Sequence, residues 1–246
     1  MLAELHYSRS PLTEAVIDLQ VRLPHWVTLD FLAQIQTGQE VNYPTRQDRI
    51  LVQGQLSTNP NMHPTTGSRT HIGYSFISTD KRRVAQARLD GFTFSWLAPY
   101  ESWEVFRDEA RRWWTIYRNT FEPKAITRVA VRYINRLDLP LPVRDLKEYL
   151  RTVPEVSPDL PQDLSDYFMQ LHIPQEDLNG MLILNQALVP PSQPNIASIL
   201  LDIDLFREID IPSTEDELWD FLEHVRHRKN EVFEACITNL TRELIR

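Results

Sequence analysis

The sequence predicts an α+β protein made of two similar βαβββα halves, residues 1–123 and 124–246. Each half is an antiparallel-rich sheet with a long helix packed on one face, and the two form one compact unit. Three observations predict this. Short segments alternate apolar and polar residues between turn-forming residues, the period-two signature of strands. Two longer segments, starting near residues 101 and 215, space their apolar side chains three and four apart, as one face of a helix requires. The order strand, helix, three strands, helix then occurs twice, meeting near residue 124, although the halves share no evident residue-level similarity.

In the first half, "PLTEAVIDLQVRLP" (11–24) alternates and is bracketed by prolines, so it is a strand. "TLDFLAQIQTGQE" (28–40) offers Thr28 as a helix cap, an apolar face of Leu29, Leu32 and Ile35, and Gly38 as a stop. "RILVQGQLS" (49–57) is a second strand, and the proline- and asparagine-rich 59–68 a loop. "THIGYSFIST" and "RVAQARLDGFTFSWL" are strands joined at "TDKRR", the latter with Phe92, Phe94 and Trp96 on one face. From residue 101 to 121, Trp103, Phe106, Ala110, Trp113, Trp114 and Tyr117 form a single helical stripe.

The second half opens with the strand "TRVAVRYINRLDLP" (127–140) and a short helix, "VRDLKEYLRTV". A proline-rich connection (154–163) leads to paired strands, "DYFMQLHIP" and "GMLILNQALVP", and then to "IASILLDIDLF". Ser213 or Thr214, with Asp216 and Glu217 beyond, marks a capping-box start. The final helix carries Leu218, Phe221, Leu222, Val225, Phe233, Ile237, Leu240 and Leu244 on one side.

Composition narrows the function. No apolar run approaches the roughly 18 residues of a membrane-spanning helix, and the opening "MLAELHYSRSPLTEAV" lacks the basic-then-apolar pattern of a secretory signal. Cys236 is the only cysteine, which excludes an intrachain disulfide and a multi-cysteine zinc site and points to the cytoplasm. A net charge of −8 argues against general nucleic-acid binding. None of the six glycines has phosphate-loop spacing, which argues against nucleotide recognition through a backbone cradle.

The midpoint strand raises the sharpest question. Period two places Arg128, Ala130, Arg132, Ile134, Arg136 and Asp138 on one face, with successive arginines roughly 13 Å apart. "LLDIDLF" puts Asp202 and Asp204 together on a strand face, roughly 7 Å apart. The favoured expectation is an inter-strand ionic ladder in which these carboxylates pair with Arg132 and Arg136. The alternative is an anion pocket of Arg132 and Arg136, with Arg88 and Arg128 as further candidates, in which Asp202 or Asp204 does metal or base work. No catalytic residue, metal or cofactor is assigned. His224 and His227 fit a solvated helix face, His71 and His172 structural roles, and Cys236 a buried inert thiol. Trp114 beside Arg111, Arg112 and Arg118 is the best place for a base-stacking platform.

"YSRSPLTEAVIDLQV", "RLDGFTFSWLAPYESWEVF", "ITRVAVRYINRLDLP" and "FEACITNLTRELI" occur in an order and spacing that resembles an uncharacterised prokaryotic family described only as "sporadically distributed", about as long as this chain. The most specific piece is Arg128-x3-Arg132-Tyr133-x-Asn135-Arg136. Ser10 stands before Pro11 where that family commonly has a second proline. The resemblance implies no established activity and no catalytic residue. Its patchy occurrence implies a role in conflict biology through a partner encoded nearby. Two functions are therefore expected: a non-enzymatic binding or accessory protein, such as an antitoxin-like or sensor subunit of a defence or toxin–antitoxin system; or an enzyme or sensor that recognises a phosphorylated small molecule or nucleotide through the arginine strand.

Overall fold

The computed structural model describes residues 7–53, 68–162, 164–212 and 214–246. Its strands are β1 (Leu12–Arg22), β2 (Thr45–Gln53), β3 (Ser68–Ile77), β4 (Arg83–Arg88), β5 (Gly91–Leu97), β6 (Ala125–Pro140), β7 (Phe168–Gln175), β8 (Gly180–Val189) and β9 (Ile196–Arg207). The helices are α1 (Trp103–Phe121), α2 (Glu215–Cys236) and α3 (Asn239–Ile245). The class is α+β. A nine-stranded antiparallel sheet has the order β2-β3-β4-β5-β1-β6-β9-β8-β7 among the described residues. No helix among them is long and apolar enough to cross a membrane.

The chain divides into two compact units. One comprises the chain up to Ile17, Leu97–Tyr100 and Arg128–Arg246; the other comprises Asp18–Trp96 and Glu101–Thr127. These differ from a division at residue 124, because β1 and β6 each contribute residues to both. The first stretch of chain also holds one strand more than expected. "RVAQARLDGFTFSWL" folds back at Leu89–Asp90, so that β4 pairs with β5 and Arg88 lies opposite Gly91. A side chain at Gly91 would meet the Leu19 carbonyl at 2.5 Å, which is why the strand restarts on a glycine.

In the unit of Asp18–Trp96 and Glu101–Thr127, α1 begins at Ser102, whose hydroxyl accepts from the Val105 N–H. Its apolar stripe covers one face of β3–β5. Trp113 stacks on Phe76, Phe92 lies against Trp114 and Tyr117, and Phe94 lies against Phe106. All are buried. Aromatic side chains of this size each stabilise by roughly 1.5–3 kcal/mol through burial alone. The expected helix at 28–40 is a 3-10 segment, Asp30–Gln36, without a side-chain cap from Thr28. The loop expected at 59–68 lies almost wholly outside the described residues.

In the other unit, Thr214 and Glu217 form the capping box that starts α2. Leu218, Leu222 and Val225 are buried on its inner side, as are Val131, Tyr133, Ile203 and Leu205 on the sheet. The terminal helix expected as a single run is broken. Ile237 is extended and bridges to Leu150, and Thr238 caps α3 while its hydroxyl donates to the Glu148 carbonyl. The short helix expected after Pro142 is one 3-10 turn, Leu146–Glu148.

Candidate functional site

Period-two alternation sorts β6 as the sequence requires. Val129, Val131, Tyr133, Leu137 and Leu139 are buried, while Arg128, Arg132 and Arg136 stand on the opposite face. β9 is its hydrogen-bonded neighbour, with Arg132 opposite Asp204 and Ile134 opposite Asp202. β8 then places Asn185 opposite Asp202, and β7 places Gln170 opposite Asn185. Four strands thus bring their polar residues onto one face.

Arg132 grips Asp202 in a bidentate pair, Nε to Oδ1 at 2.7 Å and Nη2 to Oδ2 at 2.6 Å. These bonds keep Arg132 protonated above its ordinary range. Asn185 Nδ2 donates to the same Asp202 Oδ2 at 2.9 Å. Behind it, Gln170 Nε2 donates to Asn185 Oδ1 at 2.8 Å, and His172 Nε2 contacts Gln170 Oε1 at 3.1 Å. A hydrogen-bonded chain therefore runs from β6 to the outermost strand, β7. Asp202 is buried, and both of its oxygens are engaged by these bonds.

Arg128 Nη2 donates to Asp204 Oδ2 at 2.8 Å, and its guanidinium carbon lies 4.2 Å from the centre of the Phe206 ring. Burial pushes the Asp204 carboxyl up, outweighing the nearby Arg128 and Arg132 charges, and its Oδ1 is buried without a hydrogen-bond partner among the described residues. Arg136 turns elsewhere: Nε to Asp138 Oδ1 at 3.1 Å, Nη2 to the Pro190 carbonyl at 2.7 Å and to Ser198 Oγ at 2.9 Å. Asp138 also accepts from Ser198 and Ser192. Burial raises its pKa, but the bonds from Ser198, Ser192 and Arg136 together hold it below the ordinary value.

The ionic ladder exists, but four residues from where the sequence placed it. The pairs are Arg128–Asp204 and Arg132–Asp202, and Arg136 is bound within its own strand and to the segment around Pro190 and Ser198. The register decides this, since Leu200 rather than an aspartate faces Arg136. Arg88 belongs to the other unit. It bonds Asp90 through Nε at 2.9 Å and Asp18 through Nη2 at 3.0 Å, touches Thr93, and is nearly buried. The aspartates of this network are Asp18 and Asp90, not Asp202 and Asp204.

Trp114 is buried, so the base-stacking expectation there fails. His224 and His227 are exposed on α2, and no metal-ligating cluster occurs among the described residues. His71 Nε2 contacts the Gly73 carbonyl at 2.8 Å. Cys236 is buried, which pushes its thiol up to about 11. Asn185 and Gln170 are the members of the chain that sequence reasoning missed. Their parity along β8 and β7 was legible, but the register that sets them beside Asp202 was not.

A shallow depression of about 450 Å³ at the start of α2 is lined by Arg207, Asp210, Glu217, Asp220 and Phe221 among others, with the Arg207 guanidinium over the Phe221 ring. Fold and site together define an α+β protein with a self-neutralised ionic sheet face. No protein-family model matches the chain, and no curated protein matches it.

Proposed function

We propose that this chain is a non-enzymatic binding or accessory protein whose partner is another protein, such as an antitoxin-like or sensor subunit acting with a product encoded nearby. The observation that carries this is the engagement of both Asp202 oxygens by Arg132 and Asn185. A carboxylate so held is poorly placed to take a proton, and the guanidinium edge it occupies is not offered to an incoming anion. The net charge of −8, with Asp210, Glu217 and Asp220 outnumbering Arg207 in the lining of a partly apolar depression, suits a basic partner drawn in electrostatically. Co-expression with each adjacent gene product, followed by size-exclusion chromatography with light scattering, tests it. A stoichiometric complex that weakens with salt is expected; failure with every neighbour overturns the proposal.

One observation favours a second function, recognition of a phosphorylated small molecule or nucleotide. The Arg132 side chain is 46% exposed although its Nε and Nη2 are occupied, leaving part of the cation to solvent. Thermal shift with inorganic phosphate and nucleotides tests this. Stabilisation that disappears in Arg132→Ala would support it, and no stabilisation by any of them would end it.

A further inference from the structure

The outermost strand of the first-described unit, β7, carries an unsatisfied main-chain edge. The Leu188 N–H donates to the Tyr167 carbonyl at 3.2 Å, and the register sets Phe168 opposite Ala187. Main-chain bonding alternates along an antiparallel strand. Residues 167, 169, 171, 173 and 175 therefore turn their N–H and C=O groups toward β8, and Phe168, Gln170, His172 and Pro174 turn theirs outward. Among the described residues no strand pairs with that outer side.

Exposed edges are ordinarily guarded by charged side chains, proline or bulges. β7 reads "FMQLHIPQ", with no charge at any position; its guard is Pro174, at one end only. Phe168 is 68% exposed. In a chain of net charge −8, this is a stretch along which two copies meet without facing like charges.

We propose that two copies of this chain pair antiparallel through β7, about a two-fold axis at Gln170. With Gln170 opposite its own copy, Phe168 falls opposite His172 of the second molecule, and the reverse. Every outward N–H of Phe168, Gln170 and His172 then finds an outward carbonyl. Pro174, which has no N–H, falls just beyond the paired stretch. The side chains are equally self-complementary. Each exposed Phe168 ring is covered by an imidazole, and each Gln170 amide keeps a donor and an acceptor free for its counterpart, having spent one of each on Asn185 and His172. The two-fold requires such self-matching, because a residue on the axis meets itself. A contact this short falls below the roughly 1,200 Å² of a standard interface, so association should depend on concentration. This pairing is independent of the proposed protein partner.

Sedimentation velocity across a dilution series should show a monomer–dimer equilibrium. His172→Pro removes one outward donor without touching the bonds to β8, and should shift the population to monomer with the melting temperature little changed. Gln170→Cys reads the register directly. Paired residues exchanging main-chain bonds have Cα atoms roughly 5.5 Å apart, within disulfide reach. It should therefore oxidise to a covalent dimer, whereas Phe168→Cys, roughly 13 Å from its own copy, should not. A monomer at every concentration, a dimer that survives His172→Pro, or no cross-link through Gln170→Cys would each overturn the pairing. None of these outcomes bears on whether a neighbour-encoded protein binds.

Discussion

Arg132 stands opposite Asp204 in the β6–β9 register, yet its guanidinium closes on Asp202, the next aspartate along the same face. Diagonal neighbours on an antiparallel pair are about 7–8 Å apart, within reach of a long side chain. The offset leaves Asp204 to Arg128, so both carboxylates are served by arginines four residues apart. The two aspartates nevertheless sit in different states. Asp202 has three bonds to its two oxygens, while Asp204 has one buried oxygen with no hydrogen bond among the described residues.

That asymmetry sets the response to substitution. Arg132→Ala leaves the buried Asp202 carboxyl with Asn185 as its remaining side-chain partner among the described residues and should cost about 3 kcal/mol, toward the low end for breaking a buried pair because Arg132 is partly solvated. Asp202→Asn leaves a cation that can reach water and should cost less, about 1–2 kcal/mol. Urea midpoints at unchanged slope measure both. A larger loss for Asp202→Asn would contradict the arrangement.

Asp204 should make stability fall as pH rises. Its folded pKa lies above its unfolded value because of burial, so the protonated form is the one favoured by folding. The contribution is complete below the unfolded carboxylate pKa and is lost as pH rises through the folded one. Asp204→Asn cannot titrate. The stability of the native protein relative to this variant should therefore decline across the range just above ordinary carboxylate values, by less than the full burial cost because Arg128 opposes it. A difference that grows with pH would refute this.

Cys236 should be silent in the native state. With its thiol pushed up to about 11 by burial, almost none is thiolate at pH 8. A chromogenic disulfide reagent should release colour slowly from folded protein and promptly, to one thiol per chain, in denaturant. Rapid native reaction would mean that α2 opens near its C-terminal end.

Gly91→Ala should destabilise strongly. The new methyl group would lie 2.5 Å from the Leu19 carbonyl and 2.9 Å from the Arg88 guanidinium, so backbone must move. A loss of about 3 kcal/mol or more is expected, in the range of severe steric substitutions. Thermal unfolding of the purified variant gives the answer; a wild-type melting temperature would be incompatible with so close a strand approach.

The helices and strand faces were legible because they follow from local periodicity. The stripe from Trp103 to Tyr117 and the alternation from Arg128 to Asp138 each specify a buried side without reference to the rest of the chain. The β4–β5 turn was missed although the alternation changes phase there, Ala85, Ala87 and Leu89 giving way to Phe92, Phe94 and Trp96. The Asp-Gly step that marks the turn was outweighed by the apolar residues on both sides. The break at Ile237 was missed for a similar reason. Its apolar side chain continues the helical stripe, and only the bridge to Leu150 and the Thr238 cap interrupt it.

By itself the sequence determined the α+β class, the face on which each arginine and aspartate stands, and the presence of acid enough to balance the midpoint arginines. Side-chain direction is a local property of backbone geometry, which is why these could be read. Only the tertiary structure decided which aspartate each arginine holds, that Arg136 turns to Asp138 and Ser198, and that Asn185 and Gln170 extend the chain to β7. Those depend on register between strands distant in sequence. A shift of two residues there preserves every face while exchanging every partner.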